Sequence, residues 1–218
     1  MSRRSQPRRR SQARDQVALE AAKLLYHGAC KEYIDAKREA AKSLGVKPLP
    51  SNYEVALKLL EYALSLEGES YWTRLRRLRE EALKIMEAIK DLNPRLVGSV
   101  WRGIVRPESD IDIEVDSEEV ELVERKLREA GYEPESVEPI NLPEPMRMGS
   151  LWRIRLKTSK GSSAEIILKD HLSYMNPARC DIFGDPRKGL NLMELKEILE
   201  KEPEKLFIPK RRPRNGDR

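Results

Sequence analysis

Gly98 and Ser99 open the run Gly98-Ser99-Val100-Trp101-Arg102-Gly103, and Ser109-Asp110-Ile111-Asp112 follows after five residues. Glycine lets backbone N–H groups approach a bound group closely, because no Cβ intervenes. The Ser99 hydroxyl can donate to an oxyanion. A helical turn over 100–103 would add free N–H groups and their partial positive charge. Arg102 offers a planar, permanently charged fork. Together these groups suit a phosphate.

The residues that follow suit a cation. From 110 to 115, acids and apolar residues alternate strictly. In a strand this puts Asp110, Asp112 and Glu114 on one face and Ile111, Ile113 and Val115 on the other. Three acids along one strand face repel each other unless solvent or a cation intervenes. A hard divalent ion, Mg²⁺ or Mn²⁺, prefers carboxylate and phosphate oxygens. Two such ions roughly 3.5–4 Å apart can stabilise both the attacking and the leaving oxygen of an in-line displacement. The predicted chemistry is nucleotidyl transfer from an NTP. The plainer alternative is a half-exposed antiparallel strand after an ordinary turn; a lone D-x-D is weak, whereas the joint pattern is specific.

The joint pattern resembles the signature of the nucleotidyltransferase superfamily that includes DNA polymerase beta, the archaeal CCA-adding enzymes and the minimal nucleotidyltransferases. In charge and hydrophobic pattern the whole chain also resembles archaeal nucleotidyltransferases of unassigned substrate. The resemblance implies Gly98 and Ser99 as phosphate binders, with Ser109 and Arg102 beside them, and Asp110 and Asp112 as ligands of the catalytic metal. It also implies a third carboxylate on a later strand. Glu165 is the only acid in the apolar run 164–169 and is the candidate. Many relatives are expected to carry Asp there, and Glu reaches one methylene further. Glu114 is the alternative, ranked lower because it lies roughly 13 Å along the strand from Asp110 at ~3.3 Å per residue. Asp170, at the strand end, is a further candidate.

Elements must position these residues. Helical periodicity predicts one helix over 15–44 through Val17, Leu24, Leu25, Ala29 and Ile34, stopped at Gly45. Ser51-x-x-Glu54 is a capping-box pattern opening a helix over 53–66. A third helix over 71–92 carries Leu75, Leu78, Ala82, Ile85, Met86 and Ile89 as a buried stripe. Its arginines, Arg74, Arg76, Arg77 and Arg79, flank that stripe, either as a solvated face or as a basic patch for a nucleotide or RNA backbone. A short strand over 95–97 precedes the glycine turn. Asp116-x-x-Glu119 predicts a capped helix to about 130. An edge strand over 132–140 follows, then a loop at Pro143, Pro145 and Gly149, read as a candidate cover for the site. A hairpin pairs 151–157 with 164–169. A Gly/Pro-rich connection spans 177–189, and a last helix spans 192–201. The fold class expected is α+β, a small mixed sheet backed by helices, with an N-terminal helical extension.

Composition sets the remaining bounds. The 218 residues carry a net charge of +5. The excess sits at the ends: residues 1–14 hold six Arg and no acid, and 205–218 hold six Lys or Arg against one Asp, so the body between is acidic. The expected division is a basic disordered tail over 1–14, a helical extension over 15–70, a nucleotidyltransferase-like domain over 71–204 and a basic tail over 205–218. The arms lack the apolar surface to fold alone and suit RNA phosphates or simple solubility equally. Abundant Lys, Arg and Glu with scarce Gln matches a thermophile pattern. No secretory segment or membrane span is expected, and Cys30, Cys180, His27 and His171 have no metal-ligand spacing; a cytoplasmic location is expected. The leading function is Mg²⁺- or Mn²⁺-dependent transfer of an NMP to an acceptor hydroxyl on RNA or protein. A non-catalytic nucleotide- or RNA-binding regulatory module is the rival, and a metal-dependent phosphohydrolase the third possibility.

Overall fold

The computed structural model describes residues 5–144 and 146–209. Its order is α1 (Ser5–Tyr26), α2 (Tyr33–Ser43), α3 (Asn52–Glu67), α4 (Glu69–Ala88), a 3₁₀ turn (Lys90–Leu92), β1 (Arg95–Val97), α5 (Gly98–Arg102), β2 (Ile111–Asp116), α6 (Val120–Glu129), β3 (Pro134–Pro139), β4 (Ser150–Lys157), β5 (Ser163–Lys169), α7 (His171–Met175), β6 (Leu190–Asn191) and α8 (Leu192–Lys201). The fold is α+β, as the sequence leads one to expect. The chain divides into two compact units. One holds the residues up to Tyr71 with 104–108 and 181–184; the other holds 72–103, 109–180 and the residues from Asp185 onward.

The first unit is helical. The helix expected over 15–44 is two helices. Gly28 sits at φ +70°, a conformation that closes a helix end cheaply only for glycine. Cys30 N–H then donates back to Leu24 O at 3.2 Å, and α2 restarts at Tyr33. Helix α1 also reaches back to Ser5, into the stretch read as an unfolded arm. Arg14 explains part of that order, because its guanidinium holds Glu54 of α3 at 2.6 Å. Val17, Ala18, Ala21, Ala22 and Leu25 bury the inner face of α1, whereas Ile34 is 42% exposed. The capping box at Ser51 and Glu54 forms in both directions. No helix among the described residues is long and apolar enough to cross a membrane.

The second unit is a six-stranded mixed sheet in the order β3-β4-β5-β2-β1-β6. Only β2 and β5 among these neighbours run parallel; the other pairs are antiparallel. One sheet face is apolar. Leu96, Ile111, Ile113, Val115, Ile154, Leu156, Ala164, Ile166 and Leu168 are all at most 1% exposed. Period-two alternation sends their polar neighbours to the opposite face. The expected stripe of α4 is buried from Leu75 to Ile89. Strand β3 lies at one edge of the sheet, where its prolines are tolerated, and β6 at the other. Helix α6 differs at its start: Glu119 is its N-cap and makes no side-chain cap bond, so the Asp116 capping pattern is not used. The reason is local, since Asp116 ends β2 and accepts from His171 Nδ1 at 2.9 Å instead.

Candidate functional site

Strand β1 pairs antiparallel with β2, and the register sets Val97 opposite Asp112. Gly98 follows Val97 directly and turns the chain at φ +68°. A Cβ built on Gly98 would stand 1.9 Å from Asp112 Oδ2. Only a residue without a side chain can pass there, so the glycine is required by both conformation and space. The short helix α5 then buries Val100 and Trp101, which fixes the turn to the core. Ser99 is half-buried beside it. The turn and the carboxylate are thus built against each other.

On its other side β2 runs parallel to β5, and Asp112 is the register partner of Glu165. Asp110 is exposed and Asp112 half-buried. The Asp112 carboxyl is pushed up to about 7, first by its removal from water and then by the charges of Glu165 and Asp110; Arg187 opposes the rise. Negative charge gathered beside Asp112 is what a hard cation would relieve. Asp110 and Asp112 therefore have the donor chemistry for Mg²⁺ or Mn²⁺.

Glu165 is placed beside them but otherwise engaged. Arg155 Nε donates to its Oε1 at 2.8 Å, and Arg153 Nε lies 3.3 Å from its Oε2. Among the described residues, no group of three or more His, Cys, Asp or Glu side chains is arranged to hold a metal ion. The two aspartates fit a cation; a three-acid set is not assembled.

The other expected acids have structural work. Glu114 is 4% exposed and faces Arg95 at 3.3 Å, Lys169 at 3.5 Å and Arg187 at 3.7 Å. Arg95 is itself stacked 3.7 Å above the Tyr174 ring and donates to Tyr174 O at 2.8 Å. Asp170 caps α7 by accepting from Ser173 N–H at 2.8 Å, and that bond holds its carboxyl below the usual range.

Arg102 departs from its expected place at a phosphate. It is 5% exposed, gives a two-pronged contact to Asp185 at 3.0 and 2.7 Å, and donates to Phe207 O at 2.9 Å. Its guanidinium also lies 3.9 Å from the Trp101 ring centre. Arg79, read as part of a solvated face or a basic patch, is neither: it is fully buried. It donates to Val100 O, Trp101 O, Pro203 O and Lys205 O at 2.7–3.2 Å. The first two satisfy carbonyls at the end of α5, where the helix leaves them without partners. Residues 205 and 207, at the start of the basic tail, are held in this unit through Lys205 O and Phe207 O. Residues 1–4, 210–218 and Pro145 of the expected loop lie outside the described residues.

Sequence reasoning did not find Arg153, Arg155, Lys169 or Arg187 as neighbours of the acids. Alternation along 151–157 does put Arg153, Arg155 and Lys157 on one face. Nothing local says that this face lies beside Glu165, which is decided by strand pairing.

No protein-family profile matches the chain, and no curated protein matches it. A solved structure of a cytoplasmic RNA terminal U-transferase is similar over 54% of this chain and 36% of its own, at 14% identity and a TM-score of 0.35.

Proposed function

We propose that this protein is a metal-dependent nucleotidyltransferase, moving an NMP from an NTP to an acceptor hydroxyl on RNA or protein. The observation that carries the proposal is the fit of Gly98 against Asp112. A tight glycine turn and the Asp112 carboxylate meet where β1 passes into α5. The G-S-x-x-R-G and S-D-x-D resemblance to the polymerase-beta-type superfamily supports the same chemistry.

Asp110 and Asp112 would hold the cation. When bound, a divalent ion supplies charge stabilisation to the reacting phosphate and to the departing pyrophosphate. The chain's residues do the positioning. Gly98 leaves its backbone open to phosphate oxygens, and Ser99 offers a hydroxyl donor. The acceptor hydroxyl loses its proton to solvent as its oxygen bonds to the α-phosphorus, the bond to the bridging oxygen of the β-phosphate breaks, and pyrophosphate leaves. Catalysis of this kind rests on positioning and charge stabilisation more than on covalent chemistry by side chains. Asp112 must shed its proton to serve, so proton and cation compete for its carboxylate.

A second reading has one observation in its favour. Both oxygens of Glu165 are engaged by arginines, which suits a nucleotide- or RNA-binding module that performs no transfer. Label transfer separates the two. Each α-phosphate-labelled NTP is incubated with the protein, Mg²⁺ or Mn²⁺ and a cell extract supplying acceptors, with Asp110→Asn/Asp112→Asn as control. Label on RNA or protein with the wild-type chain alone establishes transfer and the acceptor class. No label from folded protein with any NTP and either metal favours the module.

A further inference from the structure

The contact that takes Arg102 away from a phosphate brings another cation in. Its guanidinium holds both oxygens of Asp185, at 3.0 and 2.7 Å. Asp185 opens a short segment that ends at Gly189. There the chain turns at φ +68°, and a Cβ on Gly189 would stand 2.6 Å from Leu96 O and 3.0 Å from Val97 Cγ1. Leu190 and Asn191 then pair with Leu96 and Arg95 as β6. The segment is thus fastened at one end to α5 and at the other to β1, the two elements that meet at Gly98. Arg187 lies between these fastenings, and its backbone N–H donates to Ala178 O at 3.0 Å.

The Arg187 guanidinium has donors to spare. Among the described residues its one ion pair is with Glu114 at 3.7 Å, too long for a hydrogen bond. Glu114 has Arg95 and Lys169 closer, at 3.3 and 3.5 Å. The Arg187 side chain is 37% exposed, so a ligand can reach it. Its pairing with Glu114 sets it over the acid-bearing face of β2, and its charge acts on Asp112 as well. Such a fork suits a phosphate oxyanion, which accepts two parallel N–H bonds from it. We propose that Arg187 grips the terminal phosphates of the NTP together with Gly98 and Ser99, and that Arg102 is a positioning residue, which sets Arg187 in place by holding Asp185. This rests on the nucleotidyl-transfer reading of the site. It goes beyond that reading by assigning the discrimination between NTP and NMP to a segment that carries no motif.

Calorimetric titration with the four α,β-methylene nucleoside triphosphates and the matching monophosphates, in Mg²⁺, tests this without turnover. The proteins are the wild type, Arg187→Ala, Arg187→Lys, Asp185→Ala, Asp185→Asn, Lys196→Ala and Asp110→Asn/Asp112→Asn, each checked for a cooperative melt. Arg187→Ala is expected to weaken the triphosphate analogue by about tenfold or more, the worth of one charge-assisted pair. The monophosphate should stay within about twofold, because it does not reach this side chain. Arg187→Lys keeps the charge without the fork and should recover part of the loss. Asp185→Ala removes no phosphate donor, yet should weaken the triphosphate selectively and by a smaller factor than Arg187→Ala. Asp185→Asn keeps an acceptor for Arg102 and should recover part of that loss. Lys196→Ala removes a cation that pairs with Glu87 and should change neither ligand, which separates a local contact from net charge. Triphosphate binding as tight in Arg187→Ala as in the wild type overturns the assignment. So does an equal loss of triphosphate and monophosphate, the mark of a disturbed site. Asp185→Ala that binds as the wild type does overturns only the role given to Arg102. Triphosphate binding unchanged in Asp110→Asn/Asp112→Asn overturns the transfer reading, with Arg187 still judged by its own variants. A wild type that binds none of the four analogues overturns both.

Discussion

Asp112 and Glu114 stand two residues apart on the same face of β2, and the fold treats them in opposite ways. Glu114 is buried and surrounded by Arg95, Lys169 and Arg187. Its charge is balanced by the chain itself. Asp112 has other acids for neighbours, and its proton affinity is pushed up to about 7. The difference separates a structural carboxylate from one held ready. A chain that only needed the charge hidden would have supplied cations to both positions. Leaving Asp112 short of them costs stability, and that cost is expected where a ligand from outside completes the balance.

The largest test of this contrast is chemical. Asp112→Asn should lower label transfer by ~10³-fold or more, since metal-borne charge stabilisation is worth several kcal/mol and each 1.36 kcal/mol is tenfold in rate. Transfer that persists within about tenfold of wild type would remove Asp112 from the reaction. Glu114→Gln should act on stability instead. It leaves three cations facing a neutral amide, and breaking a buried pair of this kind costs about 3 kcal/mol. Urea denaturation reads the loss, and a change below about 1 kcal/mol would mean that the cluster is not the anchor it resembles.

The third test inverts the usual sense of an acid substitution. In the folded protein Asp112 binds its proton up to about 7, against 3.8 for an ordinary carboxyl. Between these values the folded state holds more protons than the unfolded state, so stability falls as pH rises through the window. Asparagine does not titrate. Asp112→Asn should therefore match wild type near pH 4 and exceed it at pH 8 by on the order of 2 kcal/mol, measured in EDTA. Adding Mg²⁺ should narrow the gap by stabilising the wild type alone. A gap that is flat with pH would mean that Asp112 is not strained. The smallest effect belongs to the helical unit. Ser51→Ala removes a cap and should cost ~1 kcal/mol while leaving transfer unchanged in folded protein.

The arginines show where the sequence stops being legible. Arg102 sits in a motif that suggests a phosphate contact and Arg79 flanks a helix stripe, and both are internal. Arg79 takes up carbonyls from α5 and from 203–205, and Arg102 takes Asp185 and Phe207. Their partners lie 21–126 residues away, beyond the reach of any local pattern. Arg153 and Arg155 are the reverse case. They carry no motif, yet they lie against the candidate third acid because β4 pairs with β5.

What the sequence determined was local. Alternation set the shared face of Asp112 and Glu114 in β2, because strand side chains have a period of two. The Gly98 position needed φ > 0, and the Ser51-Glu54 spacing capped a helix, because those constraints act within a few residues. The α4 stripe followed from a period of 3.6. Tertiary structure decided the rest. The parallel pairing of β2 with β5 brought Glu165 beside Asp112. The packing around Glu114 gave it three cations and left Asp112 with acids. Both outcomes depend on strand order and burial, and charges separated along the chain interact only once folding has brought them together in a medium that screens them less than water does.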